Sequence, residues 1–153
     1  MKTPPSGIPI EILLVEDSDT DALFAGEAFA ESRIAHQLHV VEDGVKAITF
    51  LRREAPYAAA PRPHLILLDL NLPKKNGFEV LAEIKADEDL RVIPVIVLTT
   101  SSADGDVLKS YQLHANAYLT KPVSVASYAD TVAAIEDFWL SLVTLPLRPY
   151  VEG

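Results

Sequence analysis

The chain has 153 residues, with 13 lysines and arginines against 22 aspartates and glutamates, which gives a formal net charge of −9. This length fits one domain with a substantial core, and the acidic balance argues against nucleic acid or an anionic membrane surface as the main partner. The lack of cysteine excludes disulfides, thiolate metal sites and a catalytic thiol. Neither a signal peptide nor a membrane-spanning run is predicted, so we expect a cytoplasmic protein.

Short aliphatic runs alternate with longer amphipathic stretches along the chain. The aliphatic runs are typical of strands that are buried on both faces, and the stretches between them begin at helix-capping residues. In chain order we predict strand Ile10–Val15, helix Asp19–Ser32, strand Gln37–Val41, a helix from the Asp43–Gly44 turn to Arg53, strand Leu65–Leu70, helix Phe78–Ala86, strand Pro94–Leu98, helix Ala103–His114, strand Ala117–Leu119 and helix Val125–Val143.

This alternation predicts an α/β fold with one five-stranded parallel sheet. Parallel strands need crossover connections, and right-handed crossovers place the helices on both faces of a doubly wound sheet. We predict one domain over residues 10–143, with short tails at 1–9 and 144–153.

Polar residues follow the predicted strands at the edge where ligands bind in open parallel sheets. Glu16 and Asp17 follow the first strand, Asp69 lies at the end of the third, Thr99 follows the fourth and Lys121 follows the fifth. Three carboxylates from neighbouring strands suit Mg²⁺, which prefers oxygen ligands. A lysine and a hydroxyl beside them suit the oxygens of a phosphoryl group.

Each of these residues has a simpler explanation when it is taken alone. The acidic pair could cap a helix, Thr99 could be an ordinary β-branched strand residue and Lys121 could be a surface lysine. Asp69 is harder to explain in this way, because an unpaired carboxylate in an apolar strand is costly. Their joint placement at four strand ends predicts one site.

The segments ILLVED, LILLDLNLPKKNG, PVIVLTT and AYLTKP resemble the signature blocks of the response-regulator receiver domain. The resemblance covers residues 11–142 and implies the flavodoxin-like receiver fold. It implies that Asp69 is the phosphoacceptor for a sensor histidine kinase. It also implies a Mg²⁺ site formed by Glu16, Asp17, Asp69 and the backbone carbonyl of Asn71.

The same resemblance assigns roles to the residues of the last two strands. Thr99 would hydrogen-bond the phosphoryl group, and Lys121 would pair with its charge before a cis Pro122. Tyr118 matches the aromatic position that moves together with Thr99 when the domain switches. A phosphorylation-dependent change would then reach the face formed by the last strand and helix.

The end of the chain has more apolar residues than one helix face can bury. A regular spacing places Tyr128, Val132, Ile135, Trp139 and Leu142 against the sheet. The remaining apolar residues suggest a partner or homodimer surface, or else they fold back on their own core. These residues are Phe138, Leu140, Leu145 and Leu147.

A narrower likeness concerns the loop at 55–63 and the segments LPKKNGFEVL, VLTTSS and EDFWLSLVTLP. They are similar to stand-alone regulators associated with bacterial and cyanobacterial phytochromes. This likeness implies a phytochrome-type histidine kinase as the partner and a homodimer as the assembly. Because few residues follow the last helix, we expect the output to be a contact with a downstream protein or transfer of the phosphoryl group to a phosphotransfer protein.

Two alternatives remain at this point. A phosphatase of the haloacid-dehalogenase type would need an acidic residue two positions after Asp69, where this chain has Asn71. A module of receiver fold that binds a protein without phosphorylation would not need Asp69. We expect a protein that is not an enzyme, and the sequence does not separate an effector from a phosphorelay shuttle.

Overall fold

Five parallel strands form one sheet, and five helices connect and cover them. The computed structural model describes residues 8–146. The strands are β1 (Ile10–Val15), β2 (His36–Val41), β3 (Leu65–Leu68), β4 (Val95–Thr99) and β5 (Ala117–Thr120). The helices are α1 (Asp19–Ala30), α2 (Gly44–Leu51), α3 (Gly77–Ala86), α4 (Asp104–Gln112) and α5 (Val125–Ile135), with a 3₁₀ turn at Leu90–Val92 and a π-helical turn at Glu136–Leu140. The predicted order of elements is confirmed.

The strand order is β2-β1-β3-β4-β5, and all four neighbouring pairs are parallel. Strand β3 lies in the centre, and its four residues are fully buried. Helices α1 and α5 cover one face of the sheet, and α2 and α3 cover the other, so each face has its own apolar core. This is the doubly wound, flavodoxin-like arrangement, which confirms the predicted fold class.

Two local features fix the chain close to the carboxyl edge of the sheet. The side chain of Ser18 accepts a hydrogen bond from the Asp21 N–H, and Asn76 forms a reciprocal capping box with Glu79. Gly77 begins α3 directly against the end of β3, where a Cβ atom would lie 2.3 Å from the Asp69 carbonyl oxygen. Only glycine allows this close approach.

The end of α5 does not continue with regular helical spacing. Leu140 and Leu145 are buried in the core beneath α5, whereas Phe138 is 51% and Leu142 is 73% exposed. The π-helical turn explains this, because its wider turn advances the buried position by five residues, from Ile135 to Leu140. Of the two alternatives for Leu140 and Leu145, the structure supports folding back on the chain's own core and contradicts a partner surface, and the predicted burial is wrong for Leu142.

Three other expectations concern the backbone and the ends of the chain. The peptide bond before Pro122 is trans, so the predicted cis bond is wrong. Trans is the preferred isomer of an X–Pro bond, and Lys121 contacts Glu16 and Asp69 with the bond in this form. Within residues 8–146 one peptide bond is cis, the bond between Ala55 and Pro56. Leu147 lies outside the described residues. No helix in the described range is long and apolar enough to cross a bilayer.

Candidate functional site

The carboxyl ends of four strands bring the predicted site residues together. Glu16 directly follows β1, Asp69 directly follows β3, Thr99 ends β4, and Lys121 directly follows β5. Their strands are consecutive neighbours in the sheet, so residues far apart in the sequence converge at one edge. Glu16, Asp69, Thr99 and Lys121 are all buried.

Lys121 holds two buried carboxylates at the centre of this cluster. Its Nζ lies 2.8 Å from Asp69 Oδ2 and 2.7 Å from Glu16 Oε1. Burying a carboxylate is costly unless a cation and hydrogen bonds compensate for the lost hydration. The lysine gives both groups this compensation, which explains how two acidic residues are tolerated beside each other at the end of an apolar sheet.

The buried environment raises the pKa of Glu16 into the neutral range. Burial raises the pKa of Glu16 to about 7, and the negative charge of Asp69 acts in the same direction against the opposing effect of Lys121. Burial alone would lower the pKa of Lys121, but its hydrogen bonds to Asp69 and Glu16 outweigh burial and raise it. Lys121 is therefore a permanent cation at this edge, whereas Glu16 exchanges its proton near neutral pH.

Glu16, Asp17 and Asp69 form an acidic cluster that could hold a metal ion. One oxygen from each lies within 4.8 Å of the others, and Asp17 is exposed to solvent while its neighbours are buried. Such a set of oxygen ligands with one open side fits a hard divalent cation that keeps some of its water. The Asn71 N–H donates to Asp69 Oδ1 at 3.1 Å, which fixes the other side of the carboxylate. The Asn71 carbonyl stays a predicted ligand.

The Thr99 hydroxyl is a polar group without a partner among the described residues. Thr99 is fully buried, and its Oγ1 has no hydrogen bond. A buried polar group in this condition is unusual and destabilising, and it calls for an explanation. Because Thr99 lies at the same sheet edge as Asp69 and Lys121, a phosphoryl oxygen there would give the hydroxyl its partner.

Tyr118 makes a hydrogen bond at the side of the site. Its hydroxyl donates to the Ser101 carbonyl oxygen at 2.7 Å, and the Ser101 hydroxyl contacts Asp106 Oδ2 at 2.6 Å. Burial raises the pKa of Tyr118, so the phenol is the neutral donor. The structure therefore connects Tyr118 with the segment between β4 and α4; its role as a switch stays a prediction.

Sequence reasoning missed one carboxylate of this cluster. Asp21 Oδ2 lies 3.1 Å from Lys121 Nζ, and Asp21 Oδ1 accepts a hydrogen bond of 3.0 Å from the Tyr128 hydroxyl. Burial would raise the pKa of Asp21, but these two contacts and Ser18 lower it. Asp21 is the third residue of α1, where an acidic residue is common and gives no sign of a distant partner.

Comparison with known proteins gives a consistent result. The family model described as "Response regulator receiver domain" matches residues 12–133. Response regulator Rcp1 of the cyanobacterium Synechocystis sp. is 52% identical over 141 residues, which cover 92% of this chain and 96% of that protein. A probable methanogenesis regulatory protein, FilR2 of Methanothrix harundinacea, is 43% identical over 133 residues, covering 86% of this chain and 84% of that protein.

Solved structures give the same picture in three dimensions. The Mn²⁺-bound form of Rcp1 is 53% identical with a TM-score of 0.85 and covers 90% of this chain and 99% of its own. The phosphorylated cyanobacterial phytochrome response regulator RcpA is 50% identical with a TM-score of 0.87, and the match covers 91% of this chain and 99% of that one. Since the family model spans most of the chain and these relatives match it over nearly their full length, the chain belongs to the response-regulator receiver domain family.

Proposed function

We propose that this chain is a response regulator that accepts a phosphoryl group on Asp69 from a phosphohistidine of a sensor histidine kinase. One observation carries the proposal: a buried carboxylate, a buried lysine and a buried threonine hydroxyl without a hydrogen-bond partner among residues 8–146 converge at one sheet edge. A nucleophile, a cation for its developing charge and a spare hydrogen-bond donor are the groups that acceptance of a phosphoryl group requires.

The chemistry follows from the placement of these groups. A carboxylate oxygen of Asp69 forms a bond to phosphorus while the bond between phosphorus and the donor imidazole nitrogen breaks, and that nitrogen takes a proton from solvent. Lys121 pairs with the phosphoryl charge, and the Thr99 hydroxyl donates a hydrogen bond to a phosphoryl oxygen. We propose Mg²⁺ as the metal, held by Glu16, Asp17, Asp69 and the carbonyl of Asn71. A bound Mg²⁺ ion would neutralise part of the negative charge on the phosphoryl oxygens.

We propose that the signal leaves through the face formed by β5 and α5. Thr99 would move toward the phosphoryl group, and Tyr118 would leave its contact with Ser101. Exposed apolar side chains on this side of the chain, including Val123 and Phe138, are available for a second copy or a downstream protein. A homodimer is the assembly that we propose, and the downstream partner is either an effector or a phosphotransfer protein.

Two further parts of the proposal concern the partner and the reaction type. The similarity of this chain to Rcp1 and RcpA supports a phytochrome-type histidine kinase as the phosphoryl donor. We propose that the transfer takes place in the cytoplasm, where the ATP that phosphorylates such a kinase is found. We propose that the chain is not an enzyme that turns over a phosphate ester. Asn71 stands two residues after Asp69, and its amide cannot act as the acid and base of a phosphatase.

Intact-protein mass measured after incubation with Mg²⁺ and acetyl phosphate tests the central step. We expect the mass of one added phosphoryl group in the wild-type protein, and none in Asp69→Asn or in the presence of a chelator. Asp19→Asn is the matched control, because Asp19 is an exposed aspartate and loses the same charge. The proposal would be contradicted if Asp69→Asn gained a phosphoryl group, or if the wild-type protein gained none.

The identity of the donor needs a second experiment. A phytochrome-type histidine kinase and an unrelated histidine kinase, each labelled with ³²P on histidine, are mixed with the chain, and loss of label from each kinase is followed over time. We expect transfer from the phytochrome-type kinase to be much faster. Equal rates would refute the phytochrome assignment while leaving Asp69 as the acceptor.

A further inference from the structure

Three carboxylates contact the ammonium group of Lys121. The contacts are 2.8 Å to Asp69 Oδ2, 2.7 Å to Glu16 Oε1 and 3.1 Å to Asp21 Oδ2. An ammonium group has three donors in a fixed tetrahedral arrangement. The third acceptor therefore limits the directions in which the other two donors can point, although Asp21 lies on helix α1 and not at a strand end.

The Asp21 carboxylate is in turn held by helix α5. The hydroxyl of Tyr128 donates to Asp21 Oδ1 at 3.0 Å, and Tyr128 is only 2% exposed. Its ring packs edge-on against Phe24 of α1, with 6.1 Å between the ring centroids. A buried phenol needs a hydrogen-bond partner, and the packed ring leaves its hydroxyl little freedom to find another. Asp21 thus connects Lys121 with α5.

The position of Asp21 at the start of a helix does not explain these contacts. A negative charge in the first turn is favourable, but Asp19 has the same advantage and is exposed to solvent. Asp21 differs from Asp19 because both of its oxygens have partners on distant elements, one after β5 and one on α5.

We propose that Asp21 is a positioning residue that directs Lys121 toward Asp69, and that Tyr128 fixes Asp21, so that helix α5 is coupled to the phosphoacceptor site. The functional part of this inference rests on the proposed role of Asp69. The coupling is separate from the one between Thr99 and Tyr118, because the two share no residue. If phosphorylation moves Lys121, the contact between Asp21 and Tyr128 changes with it, and by linkage a change at Tyr128 alters the site in return.

The ammonium group of Lys121 can be observed directly by NMR of protein labelled with ¹⁵N-lysine. Buried, hydrogen-bonded ammonium protons exchange slowly with water, so we expect a resolved Lys121 resonance in the wild-type protein, assigned by its loss in Lys121→Met. Asp21→Asn and Tyr128→Phe should both shift or broaden it. Tyr128→Phe is the sharper test, because the phenol contacts Asp21 and removal of its oxygen leaves the ring in place. Asp19→Asn is the control for the loss of one charge from α1.

The wild-type protein, Asp21→Asn, Tyr128→Phe and Asp19→Asn are compared for the rate of phosphorylation by acetyl phosphate at saturating Mg²⁺. We expect Asp21→Asn to react about tenfold more slowly than Asp19→Asn, the order of change expected when Lys121 loses a charged acceptor and keeps at most a neutral one. Tyr128→Phe should be slowed less than Asp21→Asn but more than the control. Urea unfolding of each variant shows whether the folded population is complete under the assay conditions.

Each result decides a separate part of the proposal. If the Lys121 resonance and the rate are the same in Asp21→Asn as in Asp19→Asn, the positioning role is refuted. If Tyr128→Phe leaves the resonance unchanged, the coupling to α5 is refuted. If the wild-type protein is not phosphorylated at all, the proposed function fails, while the resonance still tests the position of Lys121.

Discussion

Replacing Lys121 with methionine should destabilise the metal-free protein by about 3 kcal/mol, because two buried carboxylates then lose their common cation. The acidic oxygens at this edge lie within 4.8 Å of one another. At an effective dielectric constant of about 20, two negative charges 4.8 Å apart repel each other by about 3.5 kcal/mol. Loss of the hydrogen bonds to Glu16 and Asp69 adds to this repulsion, and protonation of Glu16 limits it.

The pH dependence of this effect has a definite sign. The pKa of Glu16 in the folded protein, about 7, lies above its ordinary value of 4.5, so the folded state binds more protons than the unfolded chain between these values. Stability associated with Glu16 is therefore complete below pH 4.5 and is lost as the pH rises through about 7. Without Lys121 the pKa rises further, so the defect of Lys121→Met should be larger at about pH 8 than at about pH 6.

Urea unfolding of the wild-type protein, Lys121→Met and Lys46→Met, with a chelator or with Mg²⁺, measures these differences. Lys46 pairs with Glu42 on the exposed surface, where water and salt weaken the ion pair, so its replacement should change stability much less than that of Lys121. Mg²⁺ should reduce the defect of Lys121→Met, since a bound cation neutralises the same carboxylates and adds stability by mass action. An equal defect with and without Mg²⁺, or no defect with the chelator, would refute this account of the lysine.

Three other predictions concern stability and use the same unfolding assay. Thr99→Val removes an unpaired buried hydroxyl and should stabilise the unmodified protein by about 1–2 kcal/mol, while reducing the yield of phosphorylated protein; a loss of stability would contradict this reading. Gly77→Ala should destabilise the protein by roughly 1–3 kcal/mol, because its Cβ would collide with the Asp69 carbonyl. Gly26→Ala is the control; this position on α1 has open space around it, and alanine should stabilise the protein by about 1 kcal/mol. Burial lowers the pKa of His64, whose Nδ1 accepts a hydrogen bond from the Glu11 N–H, so the stability that His64 contributes should fall as the pH drops below 6.5, against the opposite trend of Glu16. The wild-type protein should therefore lose stability relative to His64→Gln as the pH falls through this range.

The fold could be predicted because each part of its pattern has a direct physical cause. Strands covered on both faces must be apolar at every position, and β3 and β4 are fully buried, as their sequences require. The predicted site depended on the same reasoning. Once the strands were parallel, Glu16, Asp69, Thr99 and Lys121 had to meet at one edge, and the structure brings them there.

The prediction failed where local spacing changed or where contacts come from the tertiary fold. A search for regular helical periodicity does not detect the five-residue step from Ile135 to Leu140, so it places Leu142 against the sheet and leaves the burial of Leu140 undecided. The cis isomer before Pro122 is an expectation from the resemblance alone, and the structure has the trans isomer there. Asp21 reaches Lys121 only because α1 packs beside α5, which no local pattern records.

Lys121 connects Asp69 with the face of the sheet that helices α1 and α5 cover. Tyr118 packs on the face that α2 and α3 cover, whereas Tyr128 belongs to the core beneath α1 and α5. A change confined to Thr99 and Tyr118 alters β5 and the face of the sheet on which Tyr118 packs, and it does not involve Lys121. A change in the direction of the Lys121 ammonium must also disturb Asp21, and through it the hydroxyl of Tyr128. The second path explains why a helix on the opposite side of the sheet would respond to the same phosphoryl group.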